Sequence, residues 1–243
     1  MLRSLGPELF GEQHGHAPAR VLALPGWMRQ RSDFRHVLDG VDAVALDLPG
    51  FGGATPEPPE PIGAAGYAEL VAPALDACTE RAVVLGHSFG GRVAVHLAAR
   101  YPDRIGALVL TGVPLLHRDD RPSKAPLSFR VRKHLHRLGL YPDGAMERLR
   151  RSSGSADYRA ATGVMREVFV RVVNESYEEQ LQAVTQPVEL VWGDDDDAVP
   201  LYVAERAAAL LGGRARLTVV PGAGHLTPLT AVSALRDALG HHL

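Results

Sequence analysis

Short apolar runs, separated by longer stretches of helical composition, recur along most of this 243-residue chain. Apolar runs without polar alternation are typical of strands that are buried on both faces of a parallel sheet. The pattern predicts such strands at residues 20–24, 41–46, 82–85, 105–110, 188–192 and 215–220. Two weaker edge strands are predicted before them, at residues 2–5 and 8–12.

Helical segments lie between these runs and complete a repeating β–α arrangement. They are predicted from Ser32 or Asp33 to Leu38 and at residues 64–79, 92–100, 202–211 and 230–239. A proline-rich stretch at residues 54–63 indicates an extended surface loop, because proline cannot donate to a helix or a ladder. The chain is therefore predicted to be an α/β protein with a mostly parallel sheet flanked by helices.

The repeating arrangement breaks between the strands at 105–110 and 188–192. Residues 114–186 contain no convincing strand, but helical patterns occur at 129–138, 145–150 and 160–173. Open α/β sheets bind ligands at the carboxyl edge of their strands, so we expect this helical insertion to be a lid over that edge. The predicted organisation is a core of residues 1–113 and 187–243 with a lid (cap) of residues 114–186.

One tight turn carries the strongest chemical signal in the sequence. Gly86, Ser88 and Gly90 form a G-x-S-x-G pattern between an apolar strand and a helix, which is the context that a nucleophile elbow requires. Small residues on both sides of the serine let the strand and the helix approach each other, and the hydroxyl then projects from the sheet. Ser88 is therefore the candidate nucleophile, and a structural serine in a helix-capping turn is the alternative.

A serine nucleophile needs a base, and the base needs an acid to orient it. His225 lies in a glycine-rich loop after the last predicted strand, and four consecutive aspartates, Asp194 to Asp197, follow the strand before it. Residue type alone leaves all four aspartates open as the acid. The aspartate run lacks the ligand spacing of a calcium-binding loop, so no metal is expected there.

Composition and charge narrow the class of protein. The apolar fraction of 46% and the charged fraction of 22% are ordinary for a globular enzyme, and the net charge of −2 argues against a general nucleic-acid binder. The single cysteine, Cys78, favours a reducing compartment, and no signal peptide or membrane-spanning run is visible. We expect a cytoplasmic protein with a small-molecule substrate and no nucleic-acid or membrane partner. The oligomeric state stays open.

Four motifs together resemble the α/β-hydrolase superfamily, in its capped esterase, perhydrolase and C–C hydrolase group. They are GHSFGG at 86–91, DLPGFG at 47–52, WGDDDDAVP at 192–200 and PGAGH at 221–225. The order Ser, Asp, His along the chain is also that of the family. The acid of this family usually lies four residues before the proline of its loop, which implies Asp196. The lid contains no diagnostic motif.

The resemblance also implies an oxyanion hole built from two backbone N–H groups. One belongs to Phe89, directly after the nucleophile. The other belongs to the loop after the first buried strand, which usually reads His-Gly-x in the family. This chain has Pro25-Gly26-Trp27 there, so the histidine is missing and the donor by position is the N–H of Trp27.

Apolar residues in the insertion are candidates for the wall of a substrate pocket. They are Leu115, Leu116, Met146, Met165, Val168 and Phe169, and packing within the lid explains them equally well. A basic segment at residues 118–137 is either a solvated helix face or a surface that attracts an anionic substrate.

The residues and the resemblance together predict hydrolysis of a carboxylic ester through an acyl-serine intermediate, without a cofactor. Ser88 is expected to attack the carbonyl, His225 to transfer the proton and Asp196 to orient the imidazole. The alternatives are C–C bond hydrolysis or peracid formation with the same triad, and a ligand receptor built on a hydrolase scaffold.

Overall fold

The computed structural model describes residues 2–117 and 156–243, except 7 and 54, together with residues 134, 141, 142, 144 and 145. The predicted helices at 129–138 and 145–150, Met146 and the basic segment lie wholly or largely outside these residues. In the described ranges, no helix combines the length and the apolar character that crossing a bilayer requires.

Eight strands form one sheet within the described residues. In chain order they are β1 (Leu2–Gly6), β2 (Leu9–His14), β3 (Ala19–Leu24), β4 (Ala43–Leu46), β5 (Cys78–His87), β6 (Ile105–Thr111), β7 (Val188–Gly193) and β8 (Ala215–Val220). They lie side by side in the order β1-β2-β4-β3-β5-β6-β7-β8. The first two pairings in this order are antiparallel, and every later pairing is parallel.

Helices cover both faces of the sheet, which explains why its central strands are apolar throughout. The described helices are α1 (Ala64–Val71), α2 (Phe89–Arg100), α3 (Ala156–Ala160), α4 (Gly163–Val172), α5 (Glu178–Ala183), α6 (Leu201–Leu211), α7 (Thr227–Thr230) and α8 (Val232–Gly240). Leu22 and Leu24 of β3 pack into the core layer that contains α1, α2 and α6. Val21 and Ala23 point to the opposite layer, with α8, as the two-residue period of a strand requires.

The predicted fold class is confirmed, but the bounds of several elements differ from those predicted. The helix expected to reach Leu38 is a short 3-10 helix at Arg31–Phe34. The helix predicted at 64–79 ends at Val71 and continues as a 3-10 helix, Ala72–Ala77, in which Pro73 has no N–H to donate. Strand β5 then begins at Cys78 rather than at residue 82, because Cys78 pairs with β3.

The insertion between β6 and β7 is anchored to the core by buried polar contacts. Residues 156–186 of the insertion contain α3, α4 and α5. Arg92 of α2 donates a 2.6 Å hydrogen bond to the last carbonyl of α4, and its guanidinium lies 5.4 Å from the centre of the Tyr177 ring. The Glu175 carboxylate accepts bonds from the Ala64 N–H (3.2 Å) and the Tyr177 hydroxyl (2.5 Å). This part of the insertion docks on α1 and α2, while the predicted lid boundaries and lid role stay predictions.

Candidate active site

Ser88 lies at the sharp junction between β5 and α2. Its backbone has φ 50° and ψ −116°, a conformation that L-residues rarely adopt. The glycines on both sides have steric reasons. A Cβ atom at Gly86 would lie 2.5 Å from the Cα of Gly91, and one at Gly90 would lie 2.1 Å from the carbonyl oxygen of Leu24. The sequence therefore forms the strained turn that the G-x-S-x-G pattern predicts.

His225 reaches Ser88 from the loop after β8. Its Nε2 lies 3.1 Å from the Ser88 hydroxyl oxygen, which is within hydrogen-bond reach. The histidine ring fits closely against the end of β6, because a Cβ atom at Gly112 would lie 3.0 Å from the His225 Nδ1. Gly112 also has a φ of +57°, so both space and backbone conformation favour glycine. A serine hydroxyl and an imidazole thus meet at the carboxyl edge of the sheet.

Asp196 is the aspartate that the structure brings to His225. One carboxylate oxygen, Oδ2, lies 2.9 Å from the His225 Nδ1. The other oxygen accepts the backbone N–H groups of Ala198 (2.9 Å) and Val199 (2.7 Å). The indole N–H of Trp192 donates to the carbonyl of Val199 at 2.8 Å and so supports the same loop. Of the four adjacent aspartates, Asp196 is buried and the other three are exposed.

Asp194 has a contact that sequence reasoning missed. Its Oδ1 accepts a 2.7 Å hydrogen bond from the N–H of Gly222, in the loop that carries His225. Beside it, the N–H of Asp195 donates to the carbonyl of Ala223 at 3.1 Å. A Cβ atom at Gly193 would overlap that same carbonyl, so the two loops touch backbone to backbone. No sequence signal distinguishes Asp194 from its neighbours, because the contact joins residues that are far apart in the chain.

The two expected oxyanion donors belong to segments next to the nucleophile. Phe89 is the first residue of α2, so its N–H has no intrahelical acceptor. The loop with Trp27 passes close to Ser88, because a Cβ atom at Gly26 would lie 3.2 Å from the Ser88 Cβ. An ion pair between Arg29 and Asp33, with N–O distances of 2.6 and 2.8 Å, steadies this loop.

Aromatic packing also holds the Trp27 loop, which lacks the histidine usual in the resembling family. The indole ring centre lies 4.9 Å from that of Phe51, 5.5 Å from Phe89 and 5.1 Å from Phe169. The four rings come from four separate segments of the chain, and one of them belongs to α4 of the insertion. The Trp27 side chain therefore connects the expected oxyanion loop, the elbow and the insertion.

The expected pocket residues separate into two groups. Phe169 is half-buried against Trp27, and Met165 is buried with its sulfur 3.7 Å from the Tyr67 hydroxyl. Both lie beside the aromatic rings next to the nucleophile. Leu115 and Leu116 are instead buried in the core at 0% and 4% exposure, which favours packing over a pocket wall.

His87, the residue before the nucleophile, is buried at the end of β5. Burial, with smaller effects from the nearby His225 and Arg29, lowers the pKa of His87 to about 3. Its Nε2 lies 2.9 Å from the backbone carbonyl oxygen of His225.

The comparisons with known proteins agree with this fold. A family model described as "Alpha/beta hydrolase family" matches residues 21–238, and the chain belongs to this family. The 2-hydroxy-6-oxononadienedioate/2-hydroxy-6-oxononatrienedioate hydrolase of Cupriavidus pinatubonensis is 29% identical over 236 residues, which cover 84% of this chain and 76% of that protein. A pimeloyl-[acyl-carrier protein] methyl ester esterase of Xylella fastidiosa is 25% identical over 257 residues, with coverages of 97% and 98%.

A solved structure supports the fold independently. Est816, described as an N-acyl homoserine lactone degrading enzyme, matches with a TM-score of 0.72 at 18% identity, covering 97% of this chain and 96% of that one. Family and relatives together make this protein an enzyme of the α/β-hydrolase type.

Proposed function

We propose that the protein is a serine hydrolase that cleaves a carboxylic ester through an acyl-serine intermediate. The observation that carries this proposal is the continuous hydrogen-bonded chain from Asp196 through His225 to Ser88, with distances of 2.9 and 3.1 Å. Each member has the surroundings that its role needs. The acid is buried and holds the imidazole at Nδ1, which leaves Nε2 free to accept the serine proton.

The proposed reaction has two halves with the same proton carrier. Ser88 Oγ attacks the ester carbonyl while its proton passes to His225 Nε2, and Asp196 stabilises the resulting imidazolium. The N–H groups of Phe89 and Trp27 stabilise the oxyanion. The proton then moves to the departing alcohol, which leaves an acyl group on the serine. Water, deprotonated by the same histidine, hydrolyses this acyl-enzyme and regenerates the site.

C–C bond hydrolysis is the second candidate, and a specific observation favours it. The Cupriavidus relative, which is named as a hydrolase of an oxo-dienedioate, aligns with 84% of this chain. The Xylella relative, which is named as a methyl ester esterase, aligns with 97% at lower identity. Since one triad serves several chemistries on this fold, these names alone do not choose between the two reactions. We favour the ester because a nucleophilic serine with an oriented base suits acyl transfer directly.

One experiment separates the two reactions. Purified protein is assayed against aryl esters from acetate to octanoate, the methyl hemi-ester of a dicarboxylic acid, and a 2-hydroxy-6-oxo-dienoate, with Ser88→Ala as the control. Ester turnover, with an acyl-Ser88 peptide found by mass spectrometry after rapid quenching, supports the proposal. Turnover of the oxo-dienoate without ester hydrolysis supports the second candidate. Binding of these compounds without turnover of any of them indicates a receptor on a hydrolase scaffold.

A further inference from the structure

The His87 side chain is buried between two loops of the candidate site. It is 1% exposed, and its Nε2 lies 2.9 Å from the carbonyl oxygen of His225. A carbonyl oxygen can only accept a hydrogen bond, so Nε2 must carry the proton. The other ring nitrogen, Nδ1, is buried and has no hydrogen-bond partner among the described residues. The bond to His225 is therefore the specific polar contact that fixes this ring.

The other side of the ring faces the expected oxyanion loop. A Cβ atom at Gly26 would lie 3.0 Å from the His87 Nδ1, so the imidazole fills the space against the backbone before Trp27. The His87 and His225 ring centres are 5.0 Å apart. The His87 imidazole thus contacts both the loop with His225, the expected base, and the loop with Trp27, an expected oxyanion donor. His87 also directly precedes Ser88, the expected nucleophile.

The backbone of His225 needs such a support. The residue lies in an irregular segment between β8 and α7, where no regular ladder fixes the main chain. Asp196 and Ser88 contact the two ring nitrogens of His225, but both distances change if the His225 backbone moves. A displacement of about 1 Å in a catalytic group can cost about 100-fold in rate.

We propose that His87 is a positioning residue, whose Nε2–H fixes the His225 backbone so that the His225 imidazole stays within reach of Ser88. This inference rests on the proposed role of His225 as the base. The ring must also be uncharged, since a cation at this distance would oppose the imidazolium that forms on His225 during the reaction. Burial of His87, which disfavours a charged imidazole, serves this requirement.

Two substitutions at position 87 separate positioning from packing. His87→Leu fills the space but removes the donor. His87→Gln keeps an amide N–H at about the reach of the imidazole Nε2. His96→Leu is the matched control. His96 is a half-buried histidine of α2 whose pKa is also lowered by burial, but its ring packs on Tyr177. Each variant is measured for kcat, KM and the rate of labelling by a fluorophosphonate, all normalised to the folded protein.

For His87→Leu we expect kcat and the labelling rate to fall together by about 10- to 100-fold, with KM changed little. His87→Gln should recover both to within about threefold of the native protein, and His96→Leu should match the native protein. Equal losses in the leucine and glutamine variants would overturn the proposal. The proposal would also be overturned if His87→Leu lowered the yield of folded protein but left the labelling rate per folded molecule unchanged.

Nitrogen NMR of the native protein gives an answer that does not depend on any variant folding or on turnover. With ¹⁵N-labelled histidine, His87 should show the neutral Nε2–H tautomer from pH 5 to 8. An Nδ1–H tautomer, or titration of His87 near its ordinary pKa, would contradict the proposal. A failure of the proposed function has a different signature, which is unchanged ester turnover in Ser88→Ala.

Discussion

Replacement of Asp196 by asparagine changes one atom of the candidate triad and leaves its shape intact. The Oδ1 of Asp196 accepts two backbone N–H groups, from Ala198 at 2.9 Å and Val199 at 2.7 Å. An asparagine must keep its carbonyl oxygen on these donors, because the opposite orientation would set an NH₂ group against two N–H groups. The new NH₂ then faces the Nδ1 of His225, which must accept. The imidazole proton moves to Nε2, and Nε2 can no longer accept the proton of Ser88.

The size of the effect follows from this change of tautomer. Loss of the correct tautomer in a serine triad costs about 10⁴-fold in kcat, or about 5.5 kcal/mol of transition-state stabilisation. The free energy of unfolding should change little, because the two backbone hydrogen bonds survive. The assay is kcat for an aryl ester together with urea unfolding of each variant. Asp195→Asn is the control, because Asp195 is exposed and its backbone rather than its side chain contacts the histidine loop. The reasoning is refuted if folded Asp196→Asn keeps more than a tenth of native kcat, or if Asp195→Asn loses as much.

Three further predictions concern residues around the triad. The pKa of His87 is lowered from 6.5 to about 3, so near pH 5 the unfolded chain binds a proton at His87 that the folded protein does not bind. His87 should therefore make the native protein about 2 kcal/mol less stable at pH 5 than at pH 7. Urea unfolding of His87→Gln at both pH values should lack this part of the loss. Asp194→Ala should lower kcat severalfold, because the loop that carries His225 loses a hydrogen bond. Asp194→Asn can still accept the Gly222 N–H, so its kcat should stay near the native value. Equal kcat values for the two variants would contradict this. Trp27→Ala should lower the free energy of unfolding in urea by about 3 kcal/mol. It should keep substantial turnover, since the backbone N–H at position 27 remains. A loss of turnover as large as that of Ser88→Ala, with the fold intact, would indicate that the indole itself is catalytic.

Much of the fold can be predicted from the sequence because its signals are local. The predicted bounds of β8 are those that the structure shows, Ala215–Val220, since Gly213 and Gly222 lie within two residues of its two ends. The start of β5 could not be predicted, because Glu80 and Arg81 are exposed polar residues that interrupt the apolar pattern. Strand β5 extends past them because Cys78 pairs with Ala19 of β3, which is distant in the chain.

The same distinction applies to the candidate site. The elbow depends on a local steric rule, so the glycines around Ser88 indicate it directly. The selection of Asp196 among four aspartates needed the family resemblance, because burial and reach to His225 are set by how two loops meet. The contacts of Asp194 with Gly222 and of His87 with the His225 carbonyl join segments far apart in the sequence, and neither has a local signature.

Site-specific labelling with a fluorophosphonate probe tests the central claim most directly. The native protein should acquire one phosphonyl group, with the modified peptide containing Ser88, and ester turnover should fall in proportion to the labelled fraction. Ser88→Ala should lose both the label and nearly all turnover, about 10⁴- to 10⁶-fold. Labelling or ester turnover that persists in folded Ser88→Ala would contradict the assignment of Ser88 as the nucleophile.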